Sequence, residues 1–493
     1  MGYEKSKAHN LTSRIEARKL GVALLLGCCV VIFTYFISMS DITVFLSAAN
    51  QQPFASYTVR EDAVAETKNI QQTLGEKILI FPLFDEKTPV FYWLFLAEIA
   101  GKETEVLPET NANAPTDRIM CDVVNPRSEF CDVFGDVRVH GGGNSSAVTL
   151  VSPRLGESRW QVLPYIRKHM QNIARVSVRA TADPLAAPRC TSVRNVPAVV
   201  FALGGFTGNY YHDFTDLLLP LFLTAREFDG EVQFLVTNIQ PWWLLKYRPL
   251  VRRLTRYDIV DLDGAAGAGE VLCHPRVMVG LRFHDDLVVD PPRAPRGLAM
   301  RDFTKFIRAA YGLPRARAER APRPRLLLVA RNRTRRFVNL LEIAAAAERA
   351  GFEVVQADAK FGDVAAFAGV VNSCDVMVGV HGAGLTNFLL LPEKAVLVQV
   401  VPCCGLEVMA AHTFKRPAED AGVRYLEYSI AVEESTLLEE YPREHPVFTA
   451  PESVHRQGFY EMAKIYLGKQ NVRLDVNRFR PVLLRAMELL HDQ

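Results

Sequence analysis

Short apolar runs alternate with segments of helical periodicity through the C-terminal half of the chain. The runs are rich in Val and Leu and carry few charges, which is typical of parallel strands that are buried on both faces. The pattern predicts strands at 326–330, 352–355, 376–380 and 396–401, with helices at 340–350 and 364–371. This alternation predicts a doubly wound parallel sheet in a domain of residues 326–450.

A sparser form of the same alternation occurs in the N-terminal half. Strand-like runs lie at 198–202, 233–236 and 258–261, with a helical stretch at 211–228 between the first two. They predict a parallel sheet in an α/β domain of residues 77–312. Three prolines indicate a linker at 313–325, because proline interrupts both helix and strand. The tail, 451–493, is predicted to be helical with a break at Pro481.

An uncharged apolar run at 20–40 is long enough to cross a bilayer of about 30 Å as a transmembrane helix. Basic residues precede it and Asp41 follows it, so residues 1–19 are predicted to be cytosolic and the body lumenal or extracellular. The alternative is a cleaved signal peptide, although its apolar region is ordinarily shorter. The polar, weakly patterned residues 41–76 are predicted to form a stem.

Charge is nearly balanced over the whole chain. The 493 residues include 57 Lys plus Arg and 55 Asp plus Glu. Such a balance does not favour a nucleic-acid partner, and any anion site must therefore be local. The length fits two folded domains with additional segments.

Two cysteines and one asparagine are candidates for covalent modification. Cys121 and Cys131 flank a short polar loop and could form a disulfide in an oxidising compartment. The pairing of the other lumenal cysteines stays open, and none shows the repeated C-x-x-C spacing of a zinc site. Of two glycosylation sequons, Asn144 is the predicted acceptor, because a glycan at Asn332 would obstruct a region predicted to bind a ligand.

A loop of small residues follows the predicted strand 376–380. Its glycines let a ligand approach the backbone, and the helix that follows presents free N–H groups and a positive dipole end to an anion. Ligands of open α/β sheets bind at the carboxyl ends of strands. The sequence predicts a phosphate- or nucleotide-binding loop, with a tight turn and a packed histidine as the alternative. The candidate contacts are His381, Gly382, Gly384, Thr386 and Asn387.

An arginine-rich loop follows the predicted strand 326–330, at the same edge of the sheet. Arg331 and Arg335 can clamp phosphate oxygens through paired N–H donors. A solvated basic loop is the alternative for an arginine run. The convergence of the two loops predicts that a diphosphate lies between them.

His212 and Asp216 lie four residues apart after the predicted strand 198–202, which places them on one face of a helix. A histidine held by a carboxylate is suited to act as a general base. Asp213 is an alternative base on another face, and a purely structural pair is the other interpretation. Asp261 and Asp263 form an Asp-x-Asp sequence that could bind a divalent cation, although the arginines could supply the same charge.

Taken together, these segments resemble glycosyltransferase family 61, in the plant Golgi branch that decorates xylan. The likeness covers most of the body. One departure is the sequence Pro402–Gly405, where relatives typically carry tryptophans, and this leaves the shape of one pocket wall open. The matching segments are 121–140, 208–216, 280–284, Arg331 with Arg335 and Asn339, 379–392, 425–428 and 470–481.

The resemblance implies a GT-B type fold, in which two Rossmann-like domains face a cleft, and an inverting transfer with no obligatory metal. It implies a UDP-sugar donor held by the second domain, with arabinofuranose or xylose as the pentose and xylan as the acceptor. In that mechanism His212, oriented by Asp216, accepts the acceptor proton while the arginines stabilise the leaving diphosphate. The resemblance also implies a single-pass type II Golgi membrane protein, with other xylan-synthesising enzymes as expected partners.

Two other functions are compatible with the resemblance. One is an N-glycan core xylosyltransferase of the same family. The other is a non-catalytic scaffold subunit of a xylan-synthesising complex, which would keep the fold without turnover.

Overall fold

The computed structural model describes residues 117–142, 146–264, 269–358 and 364–492. The predicted cytosolic tail 1–19, membrane anchor 20–40, stem 41–76 and glycosylation site Asn144 lie outside these residues. Within them, none of the helices has the length and apolar character needed to span a membrane. The described residues all belong to one compact unit of the chain, Lys87–Gln493.

A large mixed sheet forms the N-terminal half. Its order is β4-β5-β3-β2-β10-β7-β8-β9, with β1 paired to β2 and β6 to β10. The predicted parallel pairing is confirmed for β7, β8 and β9, while β2 pairs antiparallel with β1, β3 and β10. The strands are β1 Arg118–Asp122, β2 Phe130–His140, β3 Ala147–Val151, β4 Ser158–Val162, β5 Val176–Thr181, β6 Ser192–Val193, β7 Ala198–Ala202, β8 Gln233–Thr237, β9 Val260–Asp261 and β10 Val271–Val279.

Two disulfides tie this sheet together. Cys121 and Cys131 are directly opposite each other on β1 and β2 and are bonded, and a second bond joins Cys190 to Cys273 of β10. The first is the pair that the sequence singles out. The second could not be derived from spacing, because 83 residues separate its cysteines.

The helical stretch after β7 changes type along its length. It begins as the α-helix Tyr210–His212, widens into the π-helix Asp213–Leu218, and continues as the α-helix Leu219–Ala225 and the 3-10 helix Arg226–Phe228. π-helical turns are frequent at functional sites. The other helices of this half are Pro241–Lys246, Arg248–Val251, Met300–Ala310 and the 3-10 turns Pro291–Arg293 and Pro295–Gly297.

A five-stranded parallel sheet forms the C-terminal half, as the pattern predicts. Its order is β12-β11-β13-β14-β15, so the chain reverses its direction of winding between β11 and β13. The strands are β11 Arg325–Val329, β12 Glu353–Ala357, β13 Val376–Val380, β14 Val396–Val401 and β15 Arg424–Ser429. The helices are Leu340–Arg349, Val364–Asn372, the 3-10 helix Ala383–Leu390 and Glu407–Asp420.

The tail is helical, but the predicted break at Pro481 is wrong. Pro481 lies inside the helix Val476–His491, which buries Phe479 and Leu483 against the second sheet. A proline removes one backbone hydrogen bond, and the burial of this apolar face offsets that loss. The shorter elements before it are Val432–Glu434, Thr436–Glu439, Pro446–Thr449, Pro451–His455, Phe459–Met462 and the π-helix Ala463–Lys469.

The two sheets share apolar contacts. The largest core cluster combines residues of the first half, such as Phe214 and Phe303, with residues of the second, such as Phe388 and Phe414. The helix Tyr210–His212 packs against Ala383–Leu390. The segment after β7 therefore faces the segment after β13.

Candidate active site

The two predicted anion-binding loops meet at the switch point of the five-stranded sheet. Arg331 follows β11 and Gly382 follows β13, and these strands are neighbours. Gly382 has a φ of +139°. A Cβ on it would lie 2.8 Å from Arg331 Nη1 and closer still to Arg335. Glycine is required here, because the guanidinium groups lie directly against its backbone.

Backbone carbonyls hold both arginines. Arg331 Nε donates to Thr334 O at 2.9 Å, and Arg335 Nη1 donates to His381 O at 3.0 Å. Arg331 Nη1 and Arg335 Nε are buried, and neither has a hydrogen-bond partner among the described residues. The loops therefore present donors that the surrounding protein does not use, which is the arrangement an anionic ligand requires.

Burial changes the ionisation of these side chains without removing their charge at neutral pH. Burial lowers the pKa of Arg331, and the nearby carboxylate of Asp358 opposes that change. Burial and repulsion from Arg331 together lower the pKa of Arg335 to about 9. Two desolvated cations of like charge destabilise each other, so a bound diphosphate would stabilise both.

His381 is buried and neutral. Gln399 Nε2 donates to His381 Nδ1 over 2.9 Å, so the imidazole carries its proton on Nε2. Gln399 is itself oriented by the hydroxyl of Tyr425, which donates to Oε1 at 3.2 Å. Burial and repulsion from the two arginines lower the pKa of His381 to about 3. His381 therefore contributes a neutral ring and the carbonyl that holds Arg335.

Thr386 and Asn387 lie in the helix Ala383–Leu390 and are almost fully buried. Asn387 Nδ2 donates to Gly384 O at 2.8 Å. Thr386 Oγ1 and Asn387 Oδ1 have no partner within the part of the chain that the structure describes. The predicted helix start after the glycine loop is present, although the helix is 3-10 rather than α.

A cavity of about 220 Å³ opens in front of this loop, and both halves of the molecule line it. Arg331, Gly384 and Asn387 form its second-sheet wall, and Gly208, Tyr210 and Lys246 form the opposite wall. Sequence reasoning missed Lys246 as a site residue. The adjacent Trp243 and Tyr247 mark a buried face, but no local pattern shows that a lysine between them turns towards an arginine loop roughly ninety positions away in the sequence.

Three further lining residues differ in chemistry from the arginine and the glycine loop. Asp358, directly after β12, and Phe367, on the helix Val364–Asn372, line the cavity together with Val364. A carboxylate and an apolar ring are poor partners for phosphate. They suit a sugar hydroxyl and a flat base.

The predicted pair His212 and Asp216 forms a hydrogen bond. His212 Nδ1 lies 3.0 Å from Asp216 Oδ2. Burial alone would raise the pKa of Asp216, but the hydrogen bond from His212 and the charge of Arg167 lower it overall. The carboxylate accepts from Nδ1–H, so Nε2 is the imidazole nitrogen that can accept a proton.

Asp216 is held in place from two further directions. Arg167 donates to Oδ1 through Nε at 3.0 Å and through Nη2 at 2.7 Å, while the Tyr165 hydroxyl donates to Oδ2 at 2.9 Å. His212 stacks on Phe206 with the ring centroids 4.5 Å apart. Such contacts fix the imidazole in one orientation, and its side chain stays 20% exposed.

Asp213, the alternative base, is fully buried. Its oxygens accept from Gly208 N at 2.8 Å, Trp243 Nε1 at 2.9 Å and the Tyr247 hydroxyl at 2.7 Å. These three short hydrogen bonds favour a structural role for Asp213 over that of a base.

An aromatic side chain connects the helical segment after β7 with the glycine loop after β13. The ring of Phe414 lies 5.9 Å from that of Tyr211 and 5.6 Å from that of His381. Tyr211 in turn contacts His212, with centroids 5.4 Å apart. The candidate base and the glycine loop are thus brought to the same part of the molecule.

The Asp-x-Asp sequence forms a local turn. Asp261 Oδ1 accepts from the backbone N–H groups of Asp263 and Gly264, and Asp263 accepts from Asn238 N. Among the described residues, a single cluster has metal-ligand chemistry, and two of its three members are the disulfide-bonded Cys190 and Cys273. Disulfide-bonded sulfurs are poor metal ligands, so this cluster is not a candidate metal site.

Comparisons with known proteins agree on one family. A family model described as Glycosyltransferase 61 matches residues 210–398, which include most residues of both loops and the His212–Asp216 pair. An alpha-1,3-arabinosyltransferase of Oryza sativa subsp. japonica is 43% identical, over 80% of this chain and 68% of the rice protein. Two beta-1,2-xylosyltransferases of the same species are 46% and 36% identical, over 76% and 98% of this chain and 85% and 95% of their own lengths.

Proposed function

The chain belongs to glycosyltransferase family 61, and we propose that it transfers a pentose, arabinofuranose or xylose, from a UDP-sugar to a xylan side-chain position with inversion at the anomeric carbon. The observation that carries this proposal is the pair of buried guanidinium groups with unused donors beside the glycine loop, of which Arg331 also lines the cavity at the switch point. A nucleoside diphosphate is the anion of matching charge. The similarity to rice arabinosyl- and xylosyltransferases supports the pentose and the acceptor.

The chemistry of the cavity gives the donor a direction. The diphosphate lies against Arg331 and Gly384, where charge and free backbone N–H groups favour it. The nucleoside lies against the residues after β12 and on the following helix, where Asp358 accepts hydrogen bonds from ribose hydroxyls and Phe367 packs against the base. A carboxylate after the second strand of such a sheet is suitably placed for ribose.

His212 is the proposed base. The acceptor hydroxyl oxygen attacks the anomeric carbon and gives its proton to His212 Nε2, while the bond from that carbon to the diphosphate oxygen breaks. Asp216 is a positioning residue that stabilises the imidazolium formed in this step. Arg331 and Arg335 stabilise the negative charge that develops on the leaving diphosphate.

A GT-B organisation accounts for a site between two halves. The predicted domains 77–312 and 326–450 each contain one of the sheets, and residues of both line the cavity. We also propose that the body is lumenal in the Golgi, anchored by residues 20–40 and near other xylan-synthesising enzymes. Protease treatment of sealed Golgi vesicles should leave a C-terminal epitope intact until detergent is added. Digestion without detergent would contradict this orientation.

A donor and acceptor screen tests the proposed activity. The full chain in detergent should transfer pentose from UDP-arabinofuranose or UDP-xylose to xylo-oligosaccharides, and linkage and anomeric analysis of the product should show inversion. The matched control is the Arg331→Ala, Arg335→Ala double variant. Transfer to N-glycan core acceptors alone would favour the N-glycan xylosyltransferase function, and UDP binding without transfer to any acceptor would favour a scaffold subunit.

A further inference from the structure

Asn387 is a buried asparagine on the second-sheet wall of the cavity, beside the glycine loop. It lies in the 3-10 helix Ala383–Leu390, three residues after Gly384, and is 1% exposed. Burying an amide side chain costs free energy unless both its oxygen and its nitrogen form hydrogen bonds. The partners of these two atoms therefore decide whether Asn387 is satisfied by the protein alone.

The nitrogen of this amide is bonded within the protein, and the oxygen is not. Nδ2 donates to Gly384 O at 2.8 Å, which fixes the orientation of the side chain, because the opposite orientation would place two carbonyl oxygens against each other. Oδ1 is buried and accepts no hydrogen bond from any of the described residues. The unused group of Asn387 is thus an acceptor, and its partner must be a donor.

The other two buried asparagines among the described residues show what a purely structural role requires. Asn339 Oδ1 accepts from Leu474 N at 3.0 Å, and its Nδ2 donates to Leu474 O at 2.8 Å. Asn372 Oδ1 accepts from Arg315 N at 3.0 Å, and its Nδ2 donates to Arg315 O at 3.0 Å. Both asparagines use the oxygen and the nitrogen within the protein, whereas Asn387 does not. Unsatisfied buried polar atoms are rare in folded proteins, so this difference points to a ligand.

The chemistry of Oδ1 limits which part of a nucleotide sugar it can contact. Phosphate oxygens accept hydrogen bonds and offer Oδ1 no donor. A sugar hydroxyl carries one donor proton and two acceptor lone pairs, so it can donate to Oδ1. In the proposed direction of the donor, the ribose and the base lie against Asp358 and Phe367. The hydroxyl-bearing part that remains beside Arg331 and Gly384 is the pentose bonded to the diphosphate.

We propose that Asn387 Oδ1 accepts a hydrogen bond from a hydroxyl of the transferred pentose, which makes Asn387 a specificity-determining residue for the donor sugar. This inference rests on the proposed function. The hydrogen bond to Gly384 O holds the amide in place, so the oxygen is positioned before the donor binds. A sugar that lacks the matching hydroxyl leaves this buried acceptor without a partner, and the site discriminates against it for that reason.

Calorimetry of the full chain with sugar-modified donors tests this contact. The probes are UDP, UDP-xylose, UDP-arabinofuranose and the analogues of both donors that lack one sugar hydroxyl. Of the donor that the unmodified chain binds more tightly, one analogue should bind about 3- to 10-fold more weakly, the loss expected for one neutral hydrogen bond. Asn387→Ala should weaken the complete donor by a similar factor and should bind that analogue and the complete donor equally, because each change removes the same bond. UDP affinity should stay within about 1.5-fold.

Asn372→Ala is the matched control. Asn372 is equally buried, but its amide is used within the protein, and it is not among the residues that line the cavity. This variant should keep the preference of the unmodified chain for the complete donor over the analogue. The comparison of analogues on the unmodified chain needs no substitution, so it tests the contact even where a variant does not fold.

Three outcomes would overturn the contact and leave the proposed function intact. The first is equal affinity of the unmodified chain for the complete donor and all of its analogues. The second is an Asn387→Ala variant that keeps the preference for the complete donor. The third is a loss in Asn387→Ala that is as large for UDP as for the complete donor, because it would assign Asn387 to the nucleotide or to the fold. Failure of the unmodified chain to bind UDP would instead refute the proposed function.

Discussion

The junction after β7 and the junction after β13 are both strand-to-helix turns. They differ in whether the charged side chains find hydrogen-bond partners within the protein. After β7, Asp213 and Asp216 are buried and each accepts from several donors. After β13, the guanidinium groups of Arg331 and Arg335 lie over the glycine loop with buried donors that no described residue accepts. The first junction is complete in itself and fixes the position of His212. The second keeps donors that the proposed diphosphate would use.

This contrast predicts that the two junctions fail differently when altered. Removal of His212 should affect the chemical step, and removal of an arginine should affect binding. A variant at either junction that lost turnover and UDP affinity to the same extent would contradict this difference.

The largest expected effect is on turnover at the first junction. His212→Ala should lower kcat by roughly 10²–10⁴-fold while leaving UDP affinity nearly unchanged, because the base acts on the acceptor proton. Asp216→Asn should lose less, since it misorients the imidazole without removing it. Initial rates and UDP calorimetry on the same preparations measure both quantities. A His212→Ala enzyme with near-normal turnover would assign the pair to structure.

Binding at the second junction should change by a smaller amount. Arg331→Ala or Arg335→Ala should weaken UDP binding by about 1.5–3 kcal/mol each, the value of a charged hydrogen bond. Arg336→Ala is a matched control, because Arg336 belongs to the same run but is exposed. Calorimetry should show no change for Arg336→Ala, and equal affinities for all three variants would show that the loop is only a solvated surface.

Acidification should also distinguish the junctions. His381 has a pKa of about 3 in the folded chain against a usual 6.5. Between these values the unfolded chain binds a proton that the folded chain excludes, so stability falls as pH drops below 6.5. The loss is about 2 kcal/mol at pH 5. Asp216, with its lowered pKa, acts in a different range: its stabilisation is present above its usual value of 3.8 and is lost as pH falls through the folded value.

Urea unfolding at pH 7.5 and pH 5 measures this difference. His381→Asn should reduce the pH dependence of the unfolding free energy by about 2 kcal/mol. Asp216→Asn should lower stability at both pH values without changing the dependence between them. The same pH dependence in His381→Asn and in the unmodified chain would show that His381 is not held neutral.

The smallest expected effect concerns the residues proposed to contact the nucleoside. Asp358→Asn should weaken uridine and UDP by the same amount, about 0.5–1.5 kcal/mol, because both ligands carry the ribose hydroxyls. A loss confined to UDP would place Asp358 near the phosphates instead. The orientation of the donor proposed above would then be reversed.

The sequence predicts the second junction better than the first. Buried parallel strands have a strong local pattern, so β11, β13 and β14 could be identified along with the edge where Arg331 and Gly382 meet. The strands β1, β2 and β4 mix polar with apolar residues, and the sequence pattern did not predict them. Helical spacing places His212 and Asp216 on one face, but it does not show that Arg167 and Tyr165, about fifty residues earlier, hold the carboxylate.

Long-range contacts are the part that spacing does not reveal. Lys246 and Asp358 lie in different halves of the chain, and only the packing of the two sheets brings both to one cavity. Pro481 shows the opposite error, in which a strong local rule was overridden by the burial of a helix face. Both cases reflect tertiary packing acting over local preference.

The most direct test of the central claim is the dissociation constant of UDP for three proteins: the unmodified chain, Arg331→Ala and His212→Ala. We expect Arg331→Ala to bind UDP at least about tenfold more weakly, and His212→Ala to bind it like the unmodified chain. Equal affinities for all three, or an equal loss in both variants, would contradict the assignment of the diphosphate to the second junction.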